Sequence, residues 1–239
     1  MNWQMLILAL LAGYFAGSIS FTRLVVRIMK PEEKLDEMEV PVEGTDLKYK
    51  ITTFGATAAS MRLGPKAGCA VGFADMAKVA VPVLIFRILF PGESYMLAAA
   101  IGGMAGHNWP IFYKFKGGRG ISAYYGGLFV IDWLGALVTM TAGMVLGFVI
   151  VKDYFVAYMA GMWLLLPWIW VTTQRVDYLV YGIIVNIFYI VAMLPDIRQY
   201  MKIRRVVKVD SKMVLETNPM GRGMLKISEW FKNTFSHRV

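Results

Sequence analysis

The chain has 239 residues, of which 57% are hydrophobic and only 17% charged, with a mean hydropathy of +0.53 and a formal net charge of +9. A water-soluble domain of this size carries far more polar surface, so the composition excludes that class and indicates an integral membrane protein. A pI near 9.6 suits nucleic acid, but cytoplasmic loops rich in Lys and Arg explain it more simply, and no nucleic-acid partner is expected.

Residues Trp3 to about Met29 form the first apolar stretch. The four residues Met1 to Gln4 carry no positive side chain, whereas Arg23, Arg27 and Lys30 stand at or after the far end. That order is the reverse of a signal peptide and predicts a retained helix with its N-terminus outside. Residues 30–66 are polar and read as a surface loop with a short helix around Ala56 to Leu63. A second apolar stretch runs from about Ala67 to Phe90, ending at the turn Pro91-Gly92-Glu93. A third runs from about Tyr95 to Phe115, with Pro110 expected to kink it. The run Ile121 to Ile131 is short for a crossing and reads as a tilted or re-entrant helix. Further stretches follow at about Leu134–Val151, Phe155–Thr172 with Pro167 inside it, and Tyr178–Leu194.

Charge decides whether the short run crosses. If it does, the chain has about seven transmembrane helices, and of its 25 Lys and Arg only Arg87 and Arg175 lie outside. If it does not, the segment from Pro195 onward carries ten Lys and Arg against four acids to the outside, against the positive-inside rule. The expectation is therefore an all-α polytopic membrane protein with its C-terminus cytoplasmic. It divides into a membrane domain over residues 1–195 and a basic cytoplasmic tail over 196–239. Loop 30–66, the loop after Tyr113 and the tail then share the cytoplasmic face. Tyr200, Met201, Ile203 and Val206 interleave with the tail's charges and suit an anionic leaflet, with Trp230 and Phe231 as further anchors.

The chemistry concentrates in few places. Cys69 is the lone cysteine, and the two histidines, His107 and His237, lie far apart, so no disulfide, metal site or cofactor is expected. Asp75 and Lys78 stand three residues apart, on one helix face, and Lys78 lies about 16 Å into the stretch at 1.5 Å per residue. Ionisable groups at that depth mark function or form a structural pair. His107 and Asn108 precede Pro110, where a histidine serves as base, as phosphate donor or as partner to a freed carbonyl. Lys116-Gly117-Gly118-Arg119-Gly120 precedes Ile121. If Ile121 opens a helix, glycine N–H groups, the helix dipole and the charges of Lys114, Lys116 and Arg119 suit a phosphate; the bland alternative is a flexible cytoplasmic loop. The loop lacks Walker A spacing. Gly17-Ser18-Ile19-Ser20 suits close helix packing, with Ser18 and Ser20 as possible donors. Thr57 is placed to cap the short helix and Gly64 to end it.

These pieces occur in the same order in one family. The sequence resembles the bacterial acyl-phosphate:glycerol-3-phosphate acyltransferases over about residues 10 to 130. Gly106-His107-Asn108-Trp109-Pro110 and Phe115-Lys116-Gly117-Gly118-Arg119-Gly120 stand against Gly-His-Asn-Phe-Pro and Phe-Lys-Gly-Gly-Lys-Gly. Gly55-Ala56-Thr57, then Leu63-Gly64-Pro65-Lys66-Ala67-Gly68, then Asp75 and Lys78, stand against Gly-Ala-Thr-Asn, Leu-Gly-Lys-Lys-Ala-Gly and Asp-x-x-Lys. Gly17-Ser18-Ile19 matches the start of Gly-Ser-Ile-Pro. The chain departs from the pattern at Ser20, at Lys50 to Phe54 and at Ala58. It lacks the last motif, a His and an Asn near the final span, where Asp196-Ile197-Arg198-Gln199-Tyr200 stands instead.

The resemblance implies a seven-helix enzyme that moves an acyl group from acyl phosphate to the sn-1 hydroxyl of glycerol 3-phosphate, giving lysophosphatidic acid. By the same resemblance Gly117, Gly118 and Gly120 hold a phosphate with Lys116 and Arg119 as cations. Ser18, Thr57 and Asn108 supply hydrogen bonds, Lys78 supplies charge held by Asp75, and His107 orients a substrate or moves a proton. The missing motif leaves open a different polyol-phosphate acceptor or a non-catalytic lipid-binding member. A transporter of organic phosphates is the remaining alternative, and it requires a pathway to both faces.

Overall fold

The computed structural model describes residues 2–32, 38–41, 48–151 and 154–206, together with residues 222 and 225. The described chain is helical apart from one small ribbon. Its elements are α1 (Trp3–Gly17), α2 (Phe21–Met29), β1 (Met38–Pro41), β2 (Lys48–Ile51), α3 (Ala56–Leu63), α4 (Pro65–Leu89), α5 (Tyr95–Asn108), α6 (Ile121–Ile131), α7 (Trp133–Met144), α8 (Tyr154–Thr173) and α9 (Val176–Val206). A π-helical segment, Val145–Val151, continues α7. Trp230, Phe231 and His237 lie outside the described residues.

Every predicted apolar stretch contains a helix, but the lengths correct the expectation. Among the described residues four stretches are long and apolar enough to cross a bilayer: Trp3–Met29, Pro65–Leu89, Trp133–Val151 and Val176–Ile203. The expectation of seven spans therefore stands only as a polytopic membrane fold. The 14 residues of α5 reach about 21 Å and the 11 of α6 about 17 Å, both less than a hydrocarbon core. α5 stops at Asn108 and is not kinked, because Pro110 lacks an N–H and pushes Trp109 out of the helical region. Pro110 instead opens a 3-10 turn, Ile111–Tyr113.

Other local choices follow their residues. Gly64, at φ +91°, ends α3 and admits Pro65 at the first position of α4. Gly55 holds the N-cap of α3, so Thr57 lies inside that helix and does not cap it. α9 runs unbroken to Val206, beyond the apolar stretch and past the expected domain boundary at 195. The loop 30–66 contains an antiparallel ribbon, with Glu39 opposite Lys50. Glu39 pairs with Lys48 at 3.0 Å and Lys50 at 3.2 Å, and these ammoniums hold its carboxyl below the usual range.

The tightest seam joins α1 and α5. A Cβ on Gly13 or Gly17 would overlap the carbonyls of Ala99 and Gly103, and one on Gly102 or Gly106 those of Leu10 and Tyr14. Small residues four apart on both helices thus bring the backbones together, the usual way helices associate in lipid. Behind this seam lies the core, where Val79, Met104, Tyr124, Leu128, Leu165 and Tyr189 are fully buried. The outward faces are apolar as well, with Phe73, Ile88, Val149 and Val171 all exposed, as a lipid-facing surface requires.

The seam makes a contrast between two glycines. Gly102→Ala places a methyl into the Leu10 carbonyl and should destabilise by about 1–3 kcal/mol or more. Gly72→Ala meets only Ala56 Cβ at 3.5 Å and Ser122 Oγ at 3.9 Å, and should be close to neutral. Thermal unfolding in detergent measures the difference.

Candidate functional site

The polar centre is built on the break between α1 and α2. Ser18, fully buried, donates its hydroxyl proton back to the Tyr14 carbonyl at 2.8 Å. Ile19 lies between the helices, and its carbonyl accepts from Lys78 Nζ at 2.6 Å. Lys78 reaches it from α4, where Asp75 Oδ1 lies 2.7 Å from the same ammonium and both side chains are almost wholly buried. The approach to Asp75 has the distance of an ion pair without good hydrogen-bond alignment, and Asp75 Oδ2 has no hydrogen bond among the described residues. His107, on α5, brings Nδ1 to 3.7 Å from Asp75 Oδ1, beyond hydrogen-bond reach. Lysine, carboxylate and imidazole therefore form a buried row.

The glycine loop closes over this row. After the 3-10 turn, Lys114 and Phe115 take left-handed backbone angles, at φ 52° and 59°, which costs energy for non-glycine residues. The chain then doubles back, and Gly118 N donates to the His107 carbonyl at 3.0 Å. Gly118 packs against the Nε2 end of the His107 ring, where a Cβ would overlap Nε2. Gly120, at φ +88°, presses against the Asn108 amide, 2.6 Å from Oδ1 for an added Cβ. Both glycines are thus required by close packing on His107 and Asn108, whatever the loop binds. Ile121 does open a helix, α6. Phe54 N donates to the Gly117 carbonyl at 3.1 Å, which draws the end of the 48–54 segment onto the loop.

A narrow cleft, packed too tightly to hold a water molecule, lies between these parts, lined by Ser18, Ser20, Phe54, Lys78, His107 and Gly117 among others. Of the residues singled out in the sequence, Ser18, Ser20, Lys78, His107 and Gly117 meet there. Asp75 stands behind Lys78, and Asn108 lies under Gly120 with neither amide atom hydrogen-bonded among the described residues. Lys116 is exposed and offers its carbonyl to Arg23. Thr57 is exposed on α3 and does not line the cleft.

Arg119 is held by a residue that the sequence reading did not single out. Asp196 of α9 takes Nε at 2.5 Å and Nη2 at 2.9 Å, and Thr52 Oγ1 accepts from Nη2 at 3.0 Å. One turn further along α9, Gln199 pairs with Lys50 in both directions, accepting from its N–H at 2.9 Å and donating to its carbonyl at 3.1 Å. α9 thus clasps both the glycine loop and the strand before it. Arg23, Phe54 and Tyr113 were also passed over. For Arg23 the available signal was its place one turn after Gly17-Ser18-Ile19; for Asp196 it was a carboxylate closing the final apolar stretch.

A spanning helix broken at a lysine contact, with a glycine loop folded onto a buried histidine, defines a polytopic membrane protein organised around one polar centre. The family model for glycerol-3-phosphate acyltransferase matches residues 40–208, and the chain belongs to that family. It is 36% identical to a glycerol-3-phosphate acyltransferase of Mycoplasma mycoides over 136 residues, covering 54% of this chain and 48% of that one. It is also 36% identical to glycerol-3-phosphate acyltransferase 2 of Thermotoga maritima over 132 residues, covering 54% and 60%. These alignments span about half the length of the curated relatives. The fold is similar to the crystal structure of PlsY (YgiH), an integral membrane glycerol 3-phosphate acyltransferase in its lysophosphatidic acid form. The TM-score is 0.68 at 22% identity, covering 83% of this chain and 93% of that one.

The clasp predicts a stability effect. Asp196→Ala leaves the Arg119 charge, 17% exposed, without its carboxylate, and should cost about 3 kcal/mol. The double variant Arg119→Met with Asp196→Leu should recover most of that loss. Thermal unfolding of both variants beside wild type checks it.

Proposed function

We propose that the protein is a membrane acyltransferase that moves a fatty acyl group from acyl phosphate to the sn-1 hydroxyl of glycerol 3-phosphate, giving lysophosphatidic acid. Beyond family membership, the observation that carries this reading is the convergence of Lys78, His107 and Gly117 on one cleft at the broken helix. Both substrates are phosphate anions, and the acyl chain must stay in lipid. A cleft with basic groups, glycine backbone and an apolar surround suits both needs.

In the reaction the acceptor oxygen attacks the acyl carbonyl carbon. The new C–O bond forms as the bond from that carbon to the phosphate oxygen breaks, and phosphate leaves with the electron pair. The hydroxyl proton passes to His107 or to a phosphate oxygen. An acyl phosphate is already activated, so the chain need supply only orientation and charge. Lys78 supplies charge next to the Ile19 carbonyl, with Asp75 fixing its position. Ser18 and Asn108 supply hydrogen bonds, and Gly117 brings backbone close to a phosphate, while Gly118 and Gly120 seat the loop on His107 and Asn108. Lys116, Arg119 and Thr57 belong to the surrounding shell, with Arg119 fixed by Asp196.

The reading includes a topology in the plasma membrane. Seven crossings, with α1–α2 taken as one and α4 to α9 as six, put the N-terminus outside. The cleft, the ribbon and the basic region from residue 196 onward then face the cytoplasm. This arrangement agrees with the charge distribution.

Two measurements test the proposal. Purified protein with palmitoyl phosphate should release phosphate only when glycerol 3-phosphate is present, with lysophosphatidic acid as product, and His107→Gln should lower kcat about 100-fold. Acceptor-independent release, or none, overturns the assigned reaction. In a Cys69→Ser background, Glu93→Cys should react with an impermeant maleimide on intact cells, and Lys114→Cys only after permeabilisation; the opposite pattern inverts the topology.

A further inference from the structure

Among the described cationic side chains near the cleft, two are already neutralised by a carboxylate. Lys78 is paired with Asp75, and Arg119 with Asp196. Arg23 is different. Among the described residues no carboxylate lies within ion-pair distance of it, yet its guanidinium is fixed from four sides. Nη2 donates to the Lys116 carbonyl at 2.8 Å, and Nη1 lies 3.4 Å from Ser20 Oγ. The Phe54 ring lies 3.8 Å from the guanidinium carbon and the Tyr113 ring 4.4 Å. Two of these partners, Ser20 and Phe54, line the cleft, and Lys116 adjoins Gly117, which also lines it.

This geometry is not that of a surface arginine. Stacking between two rings stabilises the cation and sets the plane of its fork. Of five N–H donors, two are directed at Lys116 and Ser20, which leaves three. A partly buried, oriented and unpaired charge beside a cleft is unfavourable until an anion arrives.

We propose that Arg23 is an anion-binding residue of this cleft, taking the oxygens of a substrate phosphate in its fork. The proposal rests on the acyl-transfer reading only for the identity of that phosphate, which belongs to glycerol 3-phosphate or to the acyl phosphate. The preceding residues Gly17 to Ser20 bring Arg23 to the cleft by ending one helix and starting the next. The two aromatic rings then replace the carboxylate that usually fixes such an arginine.

The test compares wild type, Arg23→Gln and Arg23→Lys. The first readout is the shift in unfolding midpoint caused by inorganic phosphate, which needs no turnover. Phosphate should raise the wild-type midpoint; Arg23→Gln should abolish the shift, and Arg23→Lys, which keeps charge but loses the planar fork, should lose at least half of it. The second readout is the KM for each substrate with the other saturating. Arg23→Gln should raise one KM about tenfold or more with kcat within about threefold, and the substrate affected owns the bound phosphate. A residue that only staples the loop would lower kcat and the unfolding midpoint and leave the phosphate shift intact, which overturns the proposal. No phosphate shift in wild type, or equal KM values in all three proteins, also overturns it. If wild type transfers no acyl group but the phosphate shift depends on Arg23, the assigned reaction fails and the anion site stands. If Arg23→Gln does not fold, Arg23→Lys decides alone, and an undiminished phosphate shift in it refutes the assignment.

Discussion

A lysine ammonium placed between a carboxylate and a backbone carbonyl is the constraint on which the site depends. A helix broken inside an apolar segment must find partners for its freed groups, because lipid offers none. Lys78 gives one to Ile19 at 2.6 Å, while Asp75 keeps its charge tolerable at that depth. The same contact locks α4 to the α1–α2 junction. The glycine seam sets α5 against α1, and so brings His107 alongside Asp75. The loop after α5 then has one place to fold back, and its glycines let it lie on the His107 ring and the Asn108 amide.

The coarse fold was legible because apolar length and flanking charge are local properties of a sequence. The ends of α4 and α8, and those of α7 taken with its π-helical continuation to Val151, fall within about two residues of the expected ones, as a fold dictated by apolar length should. Three features were not legible, each for a physical reason. The break at Ser18–Ser20 carries no proline, and its polar residues read equally well as packing residues. The β1–β2 ribbon is short and rich in Lys and Glu, so its pattern resembles loop; cross-strand pairing with Glu39 holds it. The Arg119–Asp196 pair joins residues far apart in the chain, and one sequence without an alignment gives no register for such a contact.

The end of α9, where the sequence offers no histidine, makes specific contacts of its own. Asp196 and Gln199 stand one turn apart, and they hold Arg119 and the Lys50 backbone. These contacts tie the glycine loop and the strand before it to the end of α9. Lys50 to Phe54, another departure, supplies the other half of the tie through Thr52 and Lys50, and Phe54 meets the loop at Gly117. The two stretches that depart from the expected pattern, Lys50 to Phe54 and the end of α9, therefore contact one another.

The seam between α1 and α5 also bears on how the molecule is made. α1 leaves the ribosome well before α4 and α5, so its glycine face meets lipid and the Ile19 carbonyl lacks its ammonium during that interval. Neither defect can be repaired locally, since the repairing groups are still being synthesised. Insertion of the first segment on its apolar length therefore precedes its completion as structure, since the Ile19 carbonyl gains its partner only when Lys78 arrives. The polar centre thus depends on contacts between helices and not on the first segment alone.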